Sequence, residues 1–228
     1  MKLALGMLCY QDAFLLPKIL PILRPWFDRF IVGFTPGTDG TLDILSQHSP
    51  IIENIPKSYD WSDMRNRVIT VAEEEGCDAM VMIDSDECML PSEVCYIGKW
   101  KFPGAILFPR YEFVDDFDHF DPSLYPDYQA RGFPLQKGFH YEGTTHEQLC
   151  LDGKVCSQVE VYTPLIRTSY NLFHYGKVKP KAQVAFKYLN YDRLRNGLEP
   201  VPELPEDYPL PETWAPGTKK KFEGPKPL

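Results

Sequence analysis

The chain has 228 residues, a length that suits one medium α/β domain or two small ones. Its 32 acidic residues outnumber 24 basic ones, giving a formal net charge of −8, which argues against a general nucleic-acid binder. Hydrophobic residues make up 43% of the chain, enough to build a packed core, so global disorder is excluded. The 14% aromatic content and the 22 prolines exceed what an ordinary α/β domain needs.

The N-terminal residues resemble a signal peptide only in Lys2 and the apolar run that ends at Cys9. Gln11 and Asp12 follow too early, and no small-residue cleavage site comes after them. No stretch reaches the roughly 18 apolar residues that cross a bilayer, so we expect no transmembrane segment. The six cysteines form no C-x-x-C pair and several lie in apolar runs. We therefore predict buried free thiols in a reducing compartment, and a cytoplasmic protein.

The first 83 residues alternate between apolar runs and segments of helical periodicity. Predicted strands cover residues 3–9, 29–34, 51–55 and 79–83, and predicted helices cover 12–23, 41–47 and 60–75. Pro17 and Pro21 must bend or shorten the first helix. Asp60 or Ser62 is placed to cap the third helix, and Gly76 to end it.

This alternation predicts an α/β fold with a mainly parallel sheet flanked by helices and right-handed crossovers. In such sheets ligands bind at the carboxyl ends of the strands. We therefore expect the loops after Cys9, Phe34 and Ile83 to share one rim.

Beyond residue 104 the pattern changes to strand-like pieces at 105–113 and 159–162, aromatic loops, and a last helix over about 179–195. From Asn196 onward, 8 of the 22 prolines fall within 33 residues without apolar periodicity. This predicts an extended or disordered tail, 196–228, that wraps over the domain surface. We divide the domain, 1–195, into a first half, 1–103, and a loop-rich later half, 104–195.

Asp84-Ser85-Asp86 directly follows the predicted strand 79–83, and Glu87 adds a third carboxylate. Two carboxylates at this spacing can turn toward one divalent ion, and oxygen ligands favour Mg²⁺ or Mn²⁺ shared with substrate phosphates. A solvated acidic turn is the alternative. A haloacid-dehalogenase-type phosphatase also has D-x-D after a strand, but after its first strand and followed by Thr, which does not hold here.

Several short motifs follow one another along residues 2–195. They are Cys9-Tyr10-Gln11-Asp12, Thr38-Asp39-Gly40-Thr41, Arg65-Asn66, Asp84-Ser85-Asp86-Glu87, Pro126-Asp127-Tyr128-Gln129-Ala130-Arg131, His146-Glu147 and His174-Tyr175-Gly176. In this order they resemble family 2 glycosyltransferases of the GT-A fold, in a bacterial type that acts on surface polysaccharide, lipid-linked or peptide acceptors. The resemblance implies a Rossmann-like fold and a nucleotide-sugar donor.

The resemblance also implies how the donor is bound. Tyr10 matches an aromatic residue that stacks on the nucleotide base, and packing at the end of the strand is the alternative. Asp39 matches an aspartate that contacts the nucleoside, and the alternative is that it caps the helix beginning near Thr41. Arg65 is expected to reach the diphosphate or to steady the Asp84 loop, unless it is an ordinary surface arginine.

For the metal, the resemblance places Asp86 on an ion that bridges the two phosphates, with Asp84 near the ribose and the same ion. His174 matches a late histidine ligand, and a buried hydrogen-bonded histidine is the alternative. A divalent cation there stabilises the charge on the departing nucleoside diphosphate.

An inverting transfer also needs a base for the acceptor's proton. Glu147 is the candidate, although the family more often has an aspartate in a Glu-Asp pair where this chain has His146-Glu147. Asp127 is the competing base, and a retaining enzyme would need neither. Gly143 is expected to let the backbone approach the donor sugar closely.

The segment from Tyr111 to Tyr141 interleaves nine aromatic residues with five aspartates, which suits an acceptor wall or a core beneath loops. We predict a Mn²⁺- or Mg²⁺-dependent glycosyltransferase of hexosyltransferase type that moves a sugar, with inversion, from a nucleotide-sugar. A UDP-sugar is favoured, and the acceptor is a carbohydrate, a lipid-linked molecule or a peptide. One alternative is a nucleotidyltransferase of this fold, whose Gly-rich loop after the first strand is missing here. The other is a catalytically silent carbohydrate-binding protein.

Overall fold

A computed structural model describes residues 1–56, 60–144, 147–156, 166–214 and 217–228. The helices are α1 (Leu16–Leu23), α2 (Thr41–Ser46), α3 (Trp61–Glu74), α4 (Pro91–Ile97) and α5 (Lys181–Arg195). The strands are β1 (Leu3–Cys9), β2 (Arg29–Phe34), β3 (Ile51–Asn54), β4 (Ala79–Met82), β5 (Glu87–Cys88), β6 (Ile106–Val114), β7 (His119–Phe120), β8 (Asp127–Pro134), β9 (His140–Glu142), β10 (Gln148–Leu151), β11 (Lys154–Val155), β12 (Ile166–Arg167), β13 (Leu172–Lys177) and β14 (Lys220–Lys221).

The central sheet begins with strands of the first half, which pair in parallel in the order β3-β2-β1-β4. Strand β8 then joins β4 in antiparallel orientation, β6 joins β8 in the same way, and β13 lies parallel to β6. All seven residues of β1 are buried, because helices cover both faces of the sheet. The predicted α/β class, with a mainly parallel central sheet, is confirmed.

Side chains of β1 alternate between two apolar clusters, one on each face of the sheet. Leu5 and Met7 belong to the cluster that includes buried residues of α1 and α4. Ala4 and Leu8 belong to the cluster that includes buried residues of α3. Because both faces of β1 pack against apolar side chains, the polar residues that follow it lie in the loop beyond its carboxyl end.

Helix α1 begins at Leu16, four residues later than the sequence predicts. Pro17 lies in its first turn, where the missing amide of proline costs no hydrogen bond. Residues before it form a turn in which the Asp12 carbonyl accepts hydrogen bonds from the Leu15 and Leu16 amides. The prolines therefore shorten this helix and leave Asp12 in the loop after β1.

Helix α3 is capped by Asp60, whose carboxylate accepts the Asp63 amide at 3.0 Å. Ser62 donates its hydroxyl to the same carboxylate, so it supports the cap. Gly76 follows the helix with a φ of +66°, a conformation that glycine adopts without strain. Both predicted boundaries of α3 lie within one residue of the observed ones.

The tail after α5 runs along the surface of the later half, and its short strand β14 pairs antiparallel with β7. The Phe222 ring packs edge-on against Tyr111, Phe113 and Phe120. Farther back, the Trp214 ring stacks on Tyr188 of α5. The tail therefore joins the aromatic cluster of the later half.

All six cysteines are free thiols; five are buried and Cys95 is partly buried. Among the described residues, no helix combines the length and the apolar character that crossing a membrane requires. The strand predicted at 159–162 lies outside the described residues.

Candidate functional site

The loops that follow β1, β2 and β4 line one cavity of about 190 Å³, which we call the first cavity. Tyr10 lines it from the first loop, Thr35 from the second, and Asp84 and Asp86 from the third. Side chains of α3 and α5 close its other walls. The rim predicted from the strand ends is therefore present.

Hydrogen bonds organise the loop after β1. One oxygen of the buried Asp12 carboxylate accepts the Tyr10 amide at 2.8 Å, and the Asp12 amide donates to Thr41 Oγ1 at 2.8 Å. Thr41 in turn donates its hydroxyl to Asp39 at 2.6 Å. Asp39 also accepts the Thr41 and Ala13 amides, and it is absent from the linings of both cavities described here. Its contacts favour the anchoring of α2, the alternative to nucleoside binding.

Asp84 is held between two arginines. Arg65 Nη2 lies 2.5 Å from one carboxylate oxygen, and Arg131 Nη2 lies 2.7 Å from the other. Burial alone would raise the pKa of Asp84, but Arg131 and Arg65 outweigh it and hold the pKa well below its usual range. Asp84 is therefore ionised and rigidly placed.

Glu87 is fully buried at the start of β5, where Arg131 and Arg110 contact the same carboxylate oxygen at 2.6 and 3.2 Å. Arg110 lies opposite Asp127 in the β6–β8 register, and their side chains form an ion pair at 2.6 Å. The second carboxylate oxygen of Asp127 accepts Gln129 Nε2 at 2.9 Å. Both oxygens of Asp127 are thus engaged.

Arg65 lies on the inner face of α3 and is only 4% exposed, so it is not a surface arginine. Its Nε donates to Glu147 at 2.7 Å, so one guanidinium bridges Asp84 and Glu147. Asn66 exchanges two hydrogen bonds with the Tyr141 backbone and thereby fixes β9 against α3. Glu147 meets Arg65 across 82 positions, on the same side of α3 as this contact.

Asp86 meets His174 because β5 pairs antiparallel with β13 and the Tyr175 amide donates to the Asp86 carbonyl at 2.8 Å. His174 Nε2 lies 3.3 Å from Asp86 Oδ1, and Nδ1 lies 2.5 Å from Glu112 Oε2. Burial disfavours the imidazolium, but Glu112 and Asp86 outweigh it and raise the pKa of His174 to about 9. A Cβ at Gly176 would come within 2.7 Å of His174 Nε2, so this close approach requires glycine.

Two lysines face the second oxygen of Asp86. Lys179 Nζ lies 3.0 Å from Asp86 Oδ2 and 2.8 Å from Asp12 Oδ1, which ties the first loop to the acidic motif. Lys187 Nζ lies 3.9 Å from Asp86 Oδ2, beyond hydrogen-bond distance. Asp86 is therefore in contact with cations on both of its oxygens.

A second cavity of about 520 Å³ lies mainly against the later half of the chain. Asp127, Tyr128 and Tyr141 line it, together with arginines from β6 and β8. The residues that line both cavities are Asp84, Glu147, Lys187 and Tyr191. The two cavities therefore meet at these four side chains.

The remaining predicted site residues fall in different places. Gly143 is exposed, has a φ of +99°, and belongs to the lining of neither cavity. His146, the neighbour of Glu147 in the predicted pair, lies outside the described residues. Of the nine aromatic residues between Tyr111 and Tyr141, Tyr128 and Tyr141 line the second cavity, and most of the others pack in the core.

A divalent ion at Asp86 would need several oxygen or nitrogen ligands around it. No group of three or more His, Cys, Asp or Glu side chains within the described ranges is arranged to hold a metal. Asp86 Oδ1 and His174 Nε2 nevertheless form a carboxylate–imidazole pair, and Glu112 orients the imidazole as an outer-shell partner does. Two such ligands fit an ion whose other ligands are substrate phosphates, provided that His174 Nε2 gives up its proton to the solvent, because only a neutral imidazole binds a metal. Asp84 fits less well than Asp86, because both of its oxygens bind guanidinium groups, which do not lose their charge, whereas Asp86 Oδ1 faces an imidazole that can.

The sequence motifs predict no role for several side chains that the structure places in the site. They are Asp12, Arg110, Glu112, Arg131, Lys179 and Lys187. Arg131 ends one of the quoted motifs, and Lys179 and Lys187 lie at the start and in the middle of the last predicted helix, so their positions were visible. Their partners are distant in sequence and were not.

No known protein-family model matches the chain, and no curated protein matches it in sequence. Among solved structures, TarS of S. aureus superposes with a TM-score of 0.50 and 10% identity over 86% of this chain and 39% of TarS. A putative nucleotide-diphospho-sugar transferase from Desulfovibrio desulfuricans G20 gives 0.43, with 11% identity over 82% of this chain and 86% of that one. Glucosyl-3-phosphoglycerate synthase from Mycobacterium tuberculosis, solved with Mn²⁺, UDP and phosphoglyceric acid, gives 0.35, with 14% identity over 48% of this chain and 43% of that one. The chain thus spans well under half of TarS, and the likeness to TarS shows a shared fold, of the GT-A-like type, and nothing about activity.

Proposed function

We propose that the chain is a glycosyltransferase of hexosyltransferase type that uses a nucleotide-sugar donor. The observation that carries this proposal is the junction of the two cavities at Asp84, Glu147, Lys187 and Tyr191. A reaction between two substrates needs such a meeting point, and the first cavity lies at the strand ends where α/β sheets bind ligands. The fold supports a nucleotide-sugar as one substrate.

In the proposed donor site, the Tyr10 ring stacks on the base and Arg65 orients the acidic motif around the diphosphate. A UDP-sugar is the favoured donor. The second cavity would take the acceptor, a carbohydrate, lipid-linked molecule or peptide, because its paired charges and tyrosine rings suit hydroxyl groups and sugar faces. Gly143 and Asp39 would contribute to donor binding indirectly, because each fixes the conformation of its own loop and neither lines the first or the second cavity.

In the proposed reaction, the bond between the anomeric carbon and the diphosphate oxygen breaks, and its electron pair leaves with the nucleoside diphosphate. The acceptor's nucleophilic atom forms the new bond with inversion, and its proton passes to Glu147. Glu147 lines both cavities and is engaged by Arg65 at one oxygen. Asp127 is the weaker candidate, because it lines the second cavity alone and both of its oxygens are engaged.

We also propose that Asp86 and His174 hold Mn²⁺ or Mg²⁺ together with the donor's phosphates. When bound, such an ion neutralises the charge that develops on the departing diphosphate. Glu112 fixes the orientation of the His174 ring, and Asp84 steadies the motif through its two arginines.

Thermal unfolding with Mn²⁺ and UDP, GDP or dTDP tests this proposal. A nucleotide at 100 times its Kd contributes about 2.7 kcal/mol, which raises the melting temperature by about 5–10 °C for a chain of this size. We expect that shift with metal and nucleotide together, and its loss in Asp86→Ala. Asp43→Ala, at an exposed position of α2, is the matched control. Absence of a shift with every nucleotide would contradict the donor site.

Release of nucleoside diphosphate from a nucleotide-sugar to water tests the base. Glu147→Gln should lower this rate by about 10²–10⁴-fold, the usual contribution of a general base, while nucleotide binding persists. Asp127→Asn is the isosteric comparison and should stay within about tenfold of wild type. If the wild-type protein binds nucleotide but never cleaves the bond between the nucleotide and its sugar, the catalytically silent alternative is favoured.

A further inference from the structure

Lys187 differs from the other cations around the acidic motif. Five cationic side chains each donate a hydrogen bond or lie in close ion-pair contact with carboxylates within the described residues: Arg65, Arg110, Arg131, His174 and Lys179. Lys187 faces the same motif, but its nearest carboxylate oxygen, on Asp86, is 3.9 Å away. Its ammonium therefore makes no direct hydrogen bond to a carboxylate of the motif.

The position of Lys187 is equally distinct. Its side chain is 42% exposed, against 10% for Lys179, and it lines both cavities at their junction. The Tyr191 ring, also at the junction, lies 5.8 Å from its ammonium. Desolvation lowers the pKa of Lys187, but Asp86 outweighs it and keeps the pKa above its ordinary value, so the group is charged at neutral pH.

We infer that Lys187 binds the diphosphate of the donor and stabilises it as the leaving group, which makes it a further catalytic residue. This inference rests on the proposed function. As the anomeric carbon–oxygen bond breaks, the electron pair moves onto the terminal phosphate oxygen, and the Lys187 ammonium donates a hydrogen bond to that oxygen. Lys179 is less suited to this role, because Asp12 and Asp86 already engage its ammonium and its side chain is only 10% exposed. It positions the two loops instead.

Calorimetric titration with a nucleoside diphosphate and the matching monophosphate, both with Mn²⁺, tests the inference. UDP and UMP are the probes, and GDP with GMP or dTDP with dTMP replaces them if that diphosphate binds more tightly. Lys187→Met should weaken the diphosphate by about 10- to 100-fold, the range for one hydrogen bond to a charged group, and leave the monophosphate within about twofold. Lys187→Arg should restore most of the diphosphate affinity. Lys181→Met, at an exposed position of the same helix, should change neither.

Equal weakening of both nucleotides by Lys187→Met would overturn the inference, because it would mean a change in the shape of the cavity. Unchanged diphosphate affinity would overturn it as well. In either case the wild-type protein still binds nucleotide, so the proposed function stands. If the wild-type protein binds no nucleotide with Mn²⁺, the proposed function fails and the inference fails with it.

Discussion

The carboxylates of the acidic motif and most of the cations that face them come from different halves of the chain. The first half supplies carboxylates at strand ends, namely Asp12, Asp84, Asp86 and Glu87. The later half supplies most of the cations that face them, namely Arg110, Arg131, His174, Lys179 and Lys187. Because an unpaired buried charge is costly, the carboxylates of the first half depend on the later half being in place.

The way in which each half holds its side chains also differs. Around Asp12 the first half uses hydrogen bonds between loop residues: the Asp12 carboxylate accepts the Tyr10 amide, and the Asp12 amide donates to the Thr41 hydroxyl. The later half uses strand register, as where Glu112 lies beside His174 and Asp127 opposite Arg110. Arg65 is the exception, a cation of the first half that binds carboxylates from both halves.

The largest expected effect therefore comes from Arg65→Met. It leaves the Asp84 and Glu147 carboxylates with one counter-ion fewer in a buried site, and loss of one partner of a buried ion pair costs about 3–5 kcal/mol. Urea unfolding should show this loss in the free energy of unfolding. Arg67→Met, two positions along the same helix, breaks an exposed pair with Asp63 and should cost about 0.5 kcal/mol or less. Equal losses in the two variants would mean that Arg65 does not join the halves.

The sequence alone predicts most of the first half and little of the later one. Strand β4 is a short apolar run and α3 has both a cap and a glycine stop, so local chemistry is enough to place them. The acidic motif is visible for the same reason. The cations that face it are visible only in part. Arg65 and His174 belong to the quoted motifs, but Arg131 reaches Asp84 across 47 positions through the β4–β8 pairing, which no local pattern encodes. The sequence offers a role for Arg65 at the Asp84 loop, but it does not reveal that Arg65 is buried or that Glu147 is its second partner.

A second prediction tests whether the tail stabilises only the later half of the chain and leaves the first half unaffected. Phe222 is partly buried among aromatic rings from β6, β7 and β13. Phe222→Ala should cost about 2 kcal/mol, below the range for a fully buried ring. Hydrogen exchange should show weaker protection of β6 and β7, with β1 and β4 unchanged. Leu210→Ala, at an exposed position of the tail, is the control. Loss of protection that spreads evenly to β1 would contradict the division between the halves.

The smallest effect is expected at Thr41, which anchors the loop after β1 without a charge of its own. Thr41 is 2% exposed; its hydroxyl accepts the Asp12 amide and donates to Asp39. Thr41→Val keeps the shape of the side chain and leaves that buried amide without an acceptor, which should cost about 1–2 kcal/mol. Thr70→Val, at an exposed position of α3, removes a hydroxyl that bonds within its own helix and should change stability by less than about 0.5 kcal/mol. Urea unfolding of both variants measures the difference. The ion pair between Asp12 and Lys179 remains in Thr41→Val and still holds the loop after β1. We therefore expect Thr41→Val to weaken nucleotide binding less than Lys187→Met does. A larger loss in Thr41→Val would mean that the neutral hydrogen bonds of the first half, rather than the cations of the later half, control the donor site.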